Sequence, residues 1–274
     1  WTEVSLVASS NAGNTVQKIL WAADSGGSAA GVWLAGTSSG QLFRSTDGAA
    51  NWSELTKGAG ELPTNWQNTG GDQKIVRSMA SNGSGQWVIV QDERIFVSTN
   101  DGATFSEVSH GISNIQVIFG IVYTNNSYVI TYDRNDDDKI YARSASSSDL
   151  TSWSSEIDYS PIKLPGTAGE IKHVRMAANN AGRVVFVVPD RSGVGLLDVN
   201  GTTVTNNGFG NADTSRITRD IATNGDNVWL ITCEDGEIYQ STDNGANFTR
   251  IIHEDITGDD TNINCVAASV YLPI

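Results

Sequence analysis

One polar octet closing on an aromatic is written along the chain at nearly even intervals, and nothing else in the sequence constrains the fold as much. "STDGAANW" occupies Ser45 to Trp52, "STNDGATF" Ser98 to Phe105 and "STDNGANF" Ser241 to Phe248. A looser copy, "SSDLTSW", runs from Ser147 to Trp153. Successive copies stand roughly 50 residues apart, with one gap of about two periods, which is the range of repeat architectures. Inside that gap "VGLLDVNGTTV", from Val194 to Val204, keeps a strand and an Asn-Gly turn without the Ser or the aromatic.

A short strand-like run precedes each octet: "QLFR", "RIFV", "KIYAR" and "EIYQ". The unit around Ser98 adds "KIVRSMA" and "QWVIVQ" before it and "TFSEVS" after it, with "SNGSG", "DE" and "TNDGA" as the joints. Runs of β-branched and aromatic residues bounded by Gly, Asn, Asp and Ser read as strands and turns. Four antiparallel strands per period describe a blade of a β-propeller. The fold class expected is therefore all-β, one propeller domain over residues 1–274.

Five whole units fit between Val16 and Ile252. "NINCVAASVYLPI" at the C-terminus resembles the first two strands of a unit, and "WTEVS" at Trp1 copies a last strand, as "WSEL" at Trp52 and "FSEV" at Phe105 do. A sixth blade assembled from both termini would hide the edges that an open sheet exposes. The expectation is six four-stranded blades in a closed ring. Trp1 then ends a divided octet, so the chain is expected to be part of a longer protein.

Composition limits the partners. The net charge is -14 and charged residues are 18% of the chain, which argues against nucleic acid, whose binding rests on clustered Lys and Arg. The longest apolar run, Val117 to Tyr123, is far short of a membrane span, so no membrane insertion is expected. Two cysteines, Cys233 and Cys265, read as buried thiols, with a bridge between blades as the alternative. Five Asn-x-Ser/Thr sites, at Asn51, Asn82, Asn125, Asn200 and Asn247, are what a chain rich in these residues produces.

The octet resembles the Asp-box, or bacterial neuraminidase repeat, whose pattern is roughly SxDxGxxW with other aromatics accepted at the end. Ser241, Asp243, Gly245 and Phe248 match throughout. In the second copy Ser98, Gly102 and Phe105 match while Asn100 replaces Asp. In the first, Ser45, Asp47 and Trp52 match while Ala49 replaces Gly. Asp149 and Trp153 carry the short fourth copy. The physics of such an octet is structural: Asp or Asn accepts backbone N–H groups in a turn, Gly takes a positive φ, and the aromatic packs between sheets. The resemblance implies a box on the hairpin between the third and fourth strands, away from the ligand channel.

Proteins with this repeat include sialidases, other glycoside hydrolases, sorting receptors, photosystem assembly factors and phage tail proteins, so the resemblance leaves function open. The Arg-Ile-Pro signature of sialidases is missing: Arg94-Ile95, Arg216-Ile217 and Arg250-Ile251 are followed by Phe96, Thr218 and Ile252. Against that, Arg77, Arg175 and Arg219 each stand three residues before an Ala, at Ala80, Ala178 and Ala222, on first strands. Three guanidiniums at matching positions could hold a carboxylate or sulfate; alternatively each pairs with a nearby acid such as Asp72, Glu170 or Asp220. Tyr123 is the inner-strand tyrosine a hydrolase would need, with no Glu evident beside it, and no catalytic residue is assigned.

His110, His173 and His253 lie apart, without metal-ligand spacing. "DRNDDDK", Asp133 to Lys139, alternates acids as a calcium loop does, but Asp138 stands where Gly is wanted and Ser144 where Glu is. It reads as a solvated hairpin, with calcium the alternative and no other cofactor expected.

The reading that results is a non-catalytic binding or structural module of a larger extracellular or virion assembly, such as a phage tail or fibre. Its partners would be other proteins of that assembly or a surface glycan, with Trp33 or Trp66 as possible contacts. The alternatives are a divergent sialidase-like hydrolase that binds an acidic sugar through the three arginines, and an assembly factor for a membrane complex.

Overall fold

The computed structural model describes residues 15–66, 75–134, 139–158, 174–189, 194–200, 203–209, 218–233 and 236–251. Every repeat folds as an antiparallel meander in which neighbours in sequence are neighbours in the sheet. The first blade is β1 (Val16–Ala22), β2 (Val32–Thr37), β3 (Leu42–Ser45) and β4 (Ser53–Glu54). The second is β5 (Val76–Ser81), β6 (Trp87–Gln91), β7 (Arg94–Ser98) and β8 (Ser106–Val108). The third comprises β9 (Ile115–Thr124), β10 (Ser127–Arg134), β11 (Tyr141–Ser146) and β12 (Asp149–Trp153), with a short β13 (Ile157–Asp158) also paired to β11.

The gap in the octet series does hold a blade: β14 (Arg175–Ala178), β15 (Arg183–Val187), β16 (Val194–Asn200) and β17 (Thr203–Phe209). The last is β18 (Thr218–Thr223), β19 (Trp229–Cys233), β20 (Ile238–Ser241) and β21 (Thr249–Ile251). The expected count of six is thereby corrected to five blades among the described residues. The segments from which a sixth was read, Trp1–Ser5 and residues 262–274, lie outside the described residues.

Two compact units divide the chain, residues 1–121 with 147–152, and residues 122–146 with 153–274. In the first unit, Leu34, Leu42 and Leu55 of one blade share a core with Val76, Met79, Trp87, Ile89, Phe96 and Phe105 of the next. In the second, Val185 and Leu196 share a core with Ile221, Trp229, Ile231, Tyr239 and Phe248. Strand alternation explains both: period-2 side chains give a blade an apolar face, and in each of these two pairs the facing sides are buried against one another.

Trp66 belongs to this core and is not a surface contact. It is fully buried, its indole Nε1 donates to the Gly40 carbonyl at 2.8 Å, and its ring lies 4.6 Å from that of Phe96. Trp33 is half-buried on β2 opposite Ser45.

Candidate functional site

The three full octets close the hairpins β3–β4, β7–β8 and β20–β21 with one hydrogen-bond scheme. The Ser side chain is buried at Ser45, Ser98 and Ser241. Its hydroxyl donates to the third residue, Asp47 at 2.8 Å, Asn100 at 2.9 Å and Asp243 at 2.7 Å. The same oxygen accepts the N–H of the fifth residue, Ala49, Gly102 or Gly245, at 3.0 to 3.1 Å. The third residue's Oδ1 then accepts the N–H four positions on, from Asn51 at 2.9 Å, Thr104 at 3.0 Å and Asn247 at 2.9 Å. The seventh residue follows the third. Asn51 and Asn247 donate Nδ2 to the second carboxylate oxygen of Asp47 and Asp243, whereas Asn100 donates its own Nδ2 to Thr104.

The fourth and fifth positions of each octet both take positive φ: Gly48 and Ala49, Asp101 and Gly102, Asn244 and Gly245. Ala49, at φ 69°, is the strained member. A left-handed L-residue costs about 1–2 kcal/mol, while Gly in the unfolded chain gives back about 0.4–1 kcal/mol. Ala49→Gly is therefore expected to stabilise the protein by about 0.5–1 kcal/mol, read from the urea midpoint at unchanged m-value.

The carboxyls of Asp47 and Asp243 are held down from 3.8 to about 2, the former chiefly by the Asn51 backbone N–H and the latter chiefly by the Asn247 side-chain amide. A carboxyl depressed in the folded state contributes stability that is complete above pH 4 or so and is lost as pH falls through its folded value. Acid should therefore weaken these two hairpins between the ordinary 3.8 and about 2. Asp243→Asn alone would set two amide donors against each other at residue 247. It is expected to cost about 1–2 kcal/mol, and Asp243→Asn with Asn247→Thr, which copies the second octet, should recover most of that. A double-mutant cycle in urea checks the coupling, and a strictly additive pair would show that the two side chains do not act together.

The octets also join blades. Asp101 accepts the backbone N–H of Ser25 at 2.9 Å and its hydroxyl at 2.5 Å, and its carbonyl accepts Arg44 Nε at 2.9 Å. Asn244 accepts Nδ2 of Asn179 at 2.8 Å. A Cβ on Gly102 would stand 3.3 Å from the Leu34 side chain, and one on Gly245 only 2.8 Å from Val185 Cγ2. In both cases the neighbour is the preceding blade.

The fourth copy is built differently. β11 and β12 run on into a tight turn, so Asp149 is the first residue of β12 and accepts both the N–H and the hydroxyl of Thr151, at 3.0 and 2.7 Å. Trp153 is half-buried at the end of that strand. Only residues 147 and 148 separate the two strands, in place of the longer turn of the full octets.

Three asparagines mark a second repeated device, on the hairpin between first and second strands. Oδ1 of Asn82 accepts the N–H groups of Ser84 and Gln86, that of Asn179 those of Ala181 and Arg183, and that of Asn224 those of Asp226 and Val228. These residues fix a common register, in which two of the three arginines coincide. Arg77 and Arg219 stand five residues before their Asn, each within a bulge of β5 or β18. Arg175 stands four before Asn179, directly opposite Val187, in the place of Ser78 and Asp220. Arg175 thus stands one residue along from the position that Arg77 and Arg219 share. Arg77, moreover, is engaged within its own blade by Asp92, Nε to Oδ1 at 2.8 Å.

Other charges serve the sheets. A polar pair links the start of the third strand, or a residue just before it, to the strand beside it in four blades: Gln41 with Glu54 at 3.0 Å, Arg94 with Glu107 at 3.8 Å, Lys139 with Asp158 at 3.2 Å and Glu237 with Arg250 at 2.9 Å. Tyr123 is half-buried and donates to Asn126 at 3.3 Å. The Tyr–Glu pair that does form is Tyr132 with Glu156, flanked by Arg134 and Arg143 and stacked on Tyr141. Tyr132 is fully buried, and burial together with the Glu156 bond pushes its phenol well above the usual range, the reverse of what a nucleophile needs.

His110 Nε2 meets the Glu93 carbonyl at 3.0 Å, and Cys233 is buried. His173, His253 and Cys265 lie outside the described residues. Asp133 and Ser144, the first and twelfth positions of the acidic stretch, fall on the paired strands β10 and β11, while residues 135–138 are outside the described residues. No group of three His, Cys, Asp or Glu suited to a metal occurs among the described residues. Nor is any described helix long and apolar enough to cross a membrane.

This assembly of small antiparallel meanders, joined face to face by hairpin staples, defines a β-propeller. Solved structures agree with that class. Similar chains include YCF48 from Cyanidioschyzon merolae, at 16% identity over 80% of this chain and 69% of that one, with a TM-score of 0.51. A chain in the mitotic checkpoint complex matches at 11% identity over 96% of this chain and 71% of that one, with a TM-score of 0.61. Raptor from Chaetomium thermophilum matches at 12% identity over 91% of this chain but 21% of its own, with a TM-score of 0.56. At such identities the likeness is one of fold. No protein-family model and no curated protein matches the sequence.

Proposed function

We propose that this propeller is a non-catalytic module that binds a protein partner within a larger assembly. The observation that carries the reading is the ion pair that engages Arg77 with Asp92 inside its own blade, together with the one-residue offset of Arg175 from Arg77 and Arg219. A fold relative belonging to the mitotic checkpoint complex, a protein assembly, supports it. With a net charge of -14, the partner surface that fits is a basic one, and association should be steered by charge. The setting we propose, extracellular or virion, is supported by composition alone: acidic, poor in Lys and rich in Gly, Asn, Ser and Thr.

Two-component titration with a purified basic partner tests this. The association rate is expected to fall steeply between low and physiological salt, and Arg77→Ala with Arg219→Ala should leave it unchanged. Turnover of a fluorogenic sialoside that disappears in Arg219→Ala would overturn the reading in favour of a hydrolase. Saturable binding of a glycan, with no protein partner, would replace the protein by a sugar.

A further inference from the structure

In two blades the hairpin that joins first to second strand contains an Asn-Gly step, Asn82-Gly83 between β5 and β6 and Asn224-Gly225 between β18 and β19. Such steps are where a chain is chemically least durable. The glycine nitrogen bonds to the asparagine Cγ, the side-chain nitrogen leaves as ammonia, and water opens the resulting cyclic imide to aspartate or isoaspartate. The reaction consumes only water, and it needs the glycine N–H free.

In this fold that N–H is taken. Gly83 N–H donates to Ser81 Oγ at 3.1 Å, and Gly225 N–H donates to Thr223 Oγ1 at 3.2 Å. Both hydroxyls are themselves pinned, donating to the carbonyls of Gln86 and Val228 at 2.8 Å. Each asparagine is fixed as well, since its Oδ1 accepts two backbone N–H groups of the same turn. Attack on Cγ must therefore release the glycine N–H and turn a side chain held at two points.

The repeat supplies its own comparison. In the asparagine turn of the fourth blade, Ala178 replaces the hydroxyl residue and Asn180 replaces the glycine. An Asn-Asn step is slow to cyclise, because the second side chain crowds the attack, and its N–H goes to the Gly225 carbonyl at 3.1 Å. Hydroxyl and glycine are thus present together in two asparagine turns and absent together in the third. The octet serine adds a further case, since Ser241 Oγ accepts the N–H of Gly245, which follows Asn244, at 3.0 Å.

We infer that Asn82 and Asn224 are latent deamidation sites, silenced in the native chain by the hydroxyls of Ser81 and Thr223. Isoaspartate at either position would route the main chain through an extra methylene and remove the side-chain geometry that holds the turn. Loss of the hydroxyl would then lead to irreversible damage of the hairpin.

Peptide mapping by mass spectrometry during incubation at mildly alkaline pH, with isoaspartate counted by enzymatic methylation, tests this. In Ser81→Ala, ammonia loss at Asn82 should run about three- to tenfold faster than in the parent chain, the worth of one hydrogen bond, while Asn224 keeps its parental rate. Thr223→Val should show the converse. Ser81→Thr and Thr223→Ser, which keep the hydroxyl, should stay at the parental rate. Amide exchange on the same samples separates a lost hydroxyl from a loosened turn. Parental rates in the Ala and Val variants overturn the inference, as do native rates at Asn82 and Asn224 equal to those of the urea-unfolded chain. Acceleration that amide exchange of residues 83–88 or 225–230 matches in full also overturns it, because opening of the turn then sets the rate.

Discussion

Trp66→Ala is expected to cost the first unit about 3–5 kcal/mol, the range for truncating a fully buried large aromatic. The side chain fills the space between two blades, touching the rings of Phe96 and Phe105, and its indole satisfies a carbonyl at Gly40 in the β2–β3 turn. Both contributions vanish in the alanine variant, and the chain from Leu55 to Trp66 loses its anchor. Trp66→Phe keeps most of the apolar area but orphans the carbonyl, so an intermediate cost of about 1–2 kcal/mol should result. Far-UV circular dichroism in urea measures the loss without depending on the deleted fluorophore. If Trp66 served instead as a ligand-facing aromatic, both variants would unfold at the parental midpoint.

That prediction reverses a reading of the sequence, and the reason is general. Trp66 sits in a segment without strand pattern, among Pro63, Thr64 and Asn65, where nothing local says whether an aromatic faces water or a neighbouring blade. The octets were legible because their chemistry is local. Ser, Asp or Asn, and a residue tolerating positive φ are bonded to one another within eight positions, so the pattern in the text is the pattern in space. The four-strand unit around Ser98 was legible for the same reason, each strand being hydrogen-bonded to its sequence neighbour. The fourth octet, short by one residue in the text, is short in space as well: Asp149 already lies in β12, two residues after β11 ends.

The arginines show what a one-residue error does in a strand protein. Measured back from an alanine, Arg77, Arg175 and Arg219 coincide. Measured back from Asn82, Asn179 and Asn224, whose side chains build the same turn, Arg175 is displaced by one. The asparagines were the better ruler, because a side chain that caps a turn is tied to backbone geometry whereas an alanine is tied only to face. Tyr132 and Glu156 were beyond reach for another reason: they meet across a hairpin and a half, and neither belongs to a repeated position.

Gly245→Ala should prove the most damaging of the octet glycine changes, at about 2–3 kcal/mol. Two costs add. The residue sits at φ 80°, where an L-residue pays about 1–2 kcal/mol. The new methyl would also stand 2.8 Å from Cγ2 of Val185, a fully buried, β-branched side chain with one comfortable rotamer and no room to retreat. Gly102→Ala meets a more forgiving neighbour, since Leu34 lies at 3.3 Å and can turn about two torsions, so about 1–2 kcal/mol is expected from strain plus slight crowding. Gly48, at φ 74°, has nothing within 4 Å of the added carbon. Gly48→Ala therefore isolates the backbone term, at about 1 kcal/mol once the lost freedom of the unfolded chain is offset. Urea unfolding of the three variants separates strain from packing. The order Gly245 worse than Gly102 worse than Gly48 is what a staple pressed into the preceding blade requires, whereas three equal losses would mean that the octets stabilise only their own hairpins.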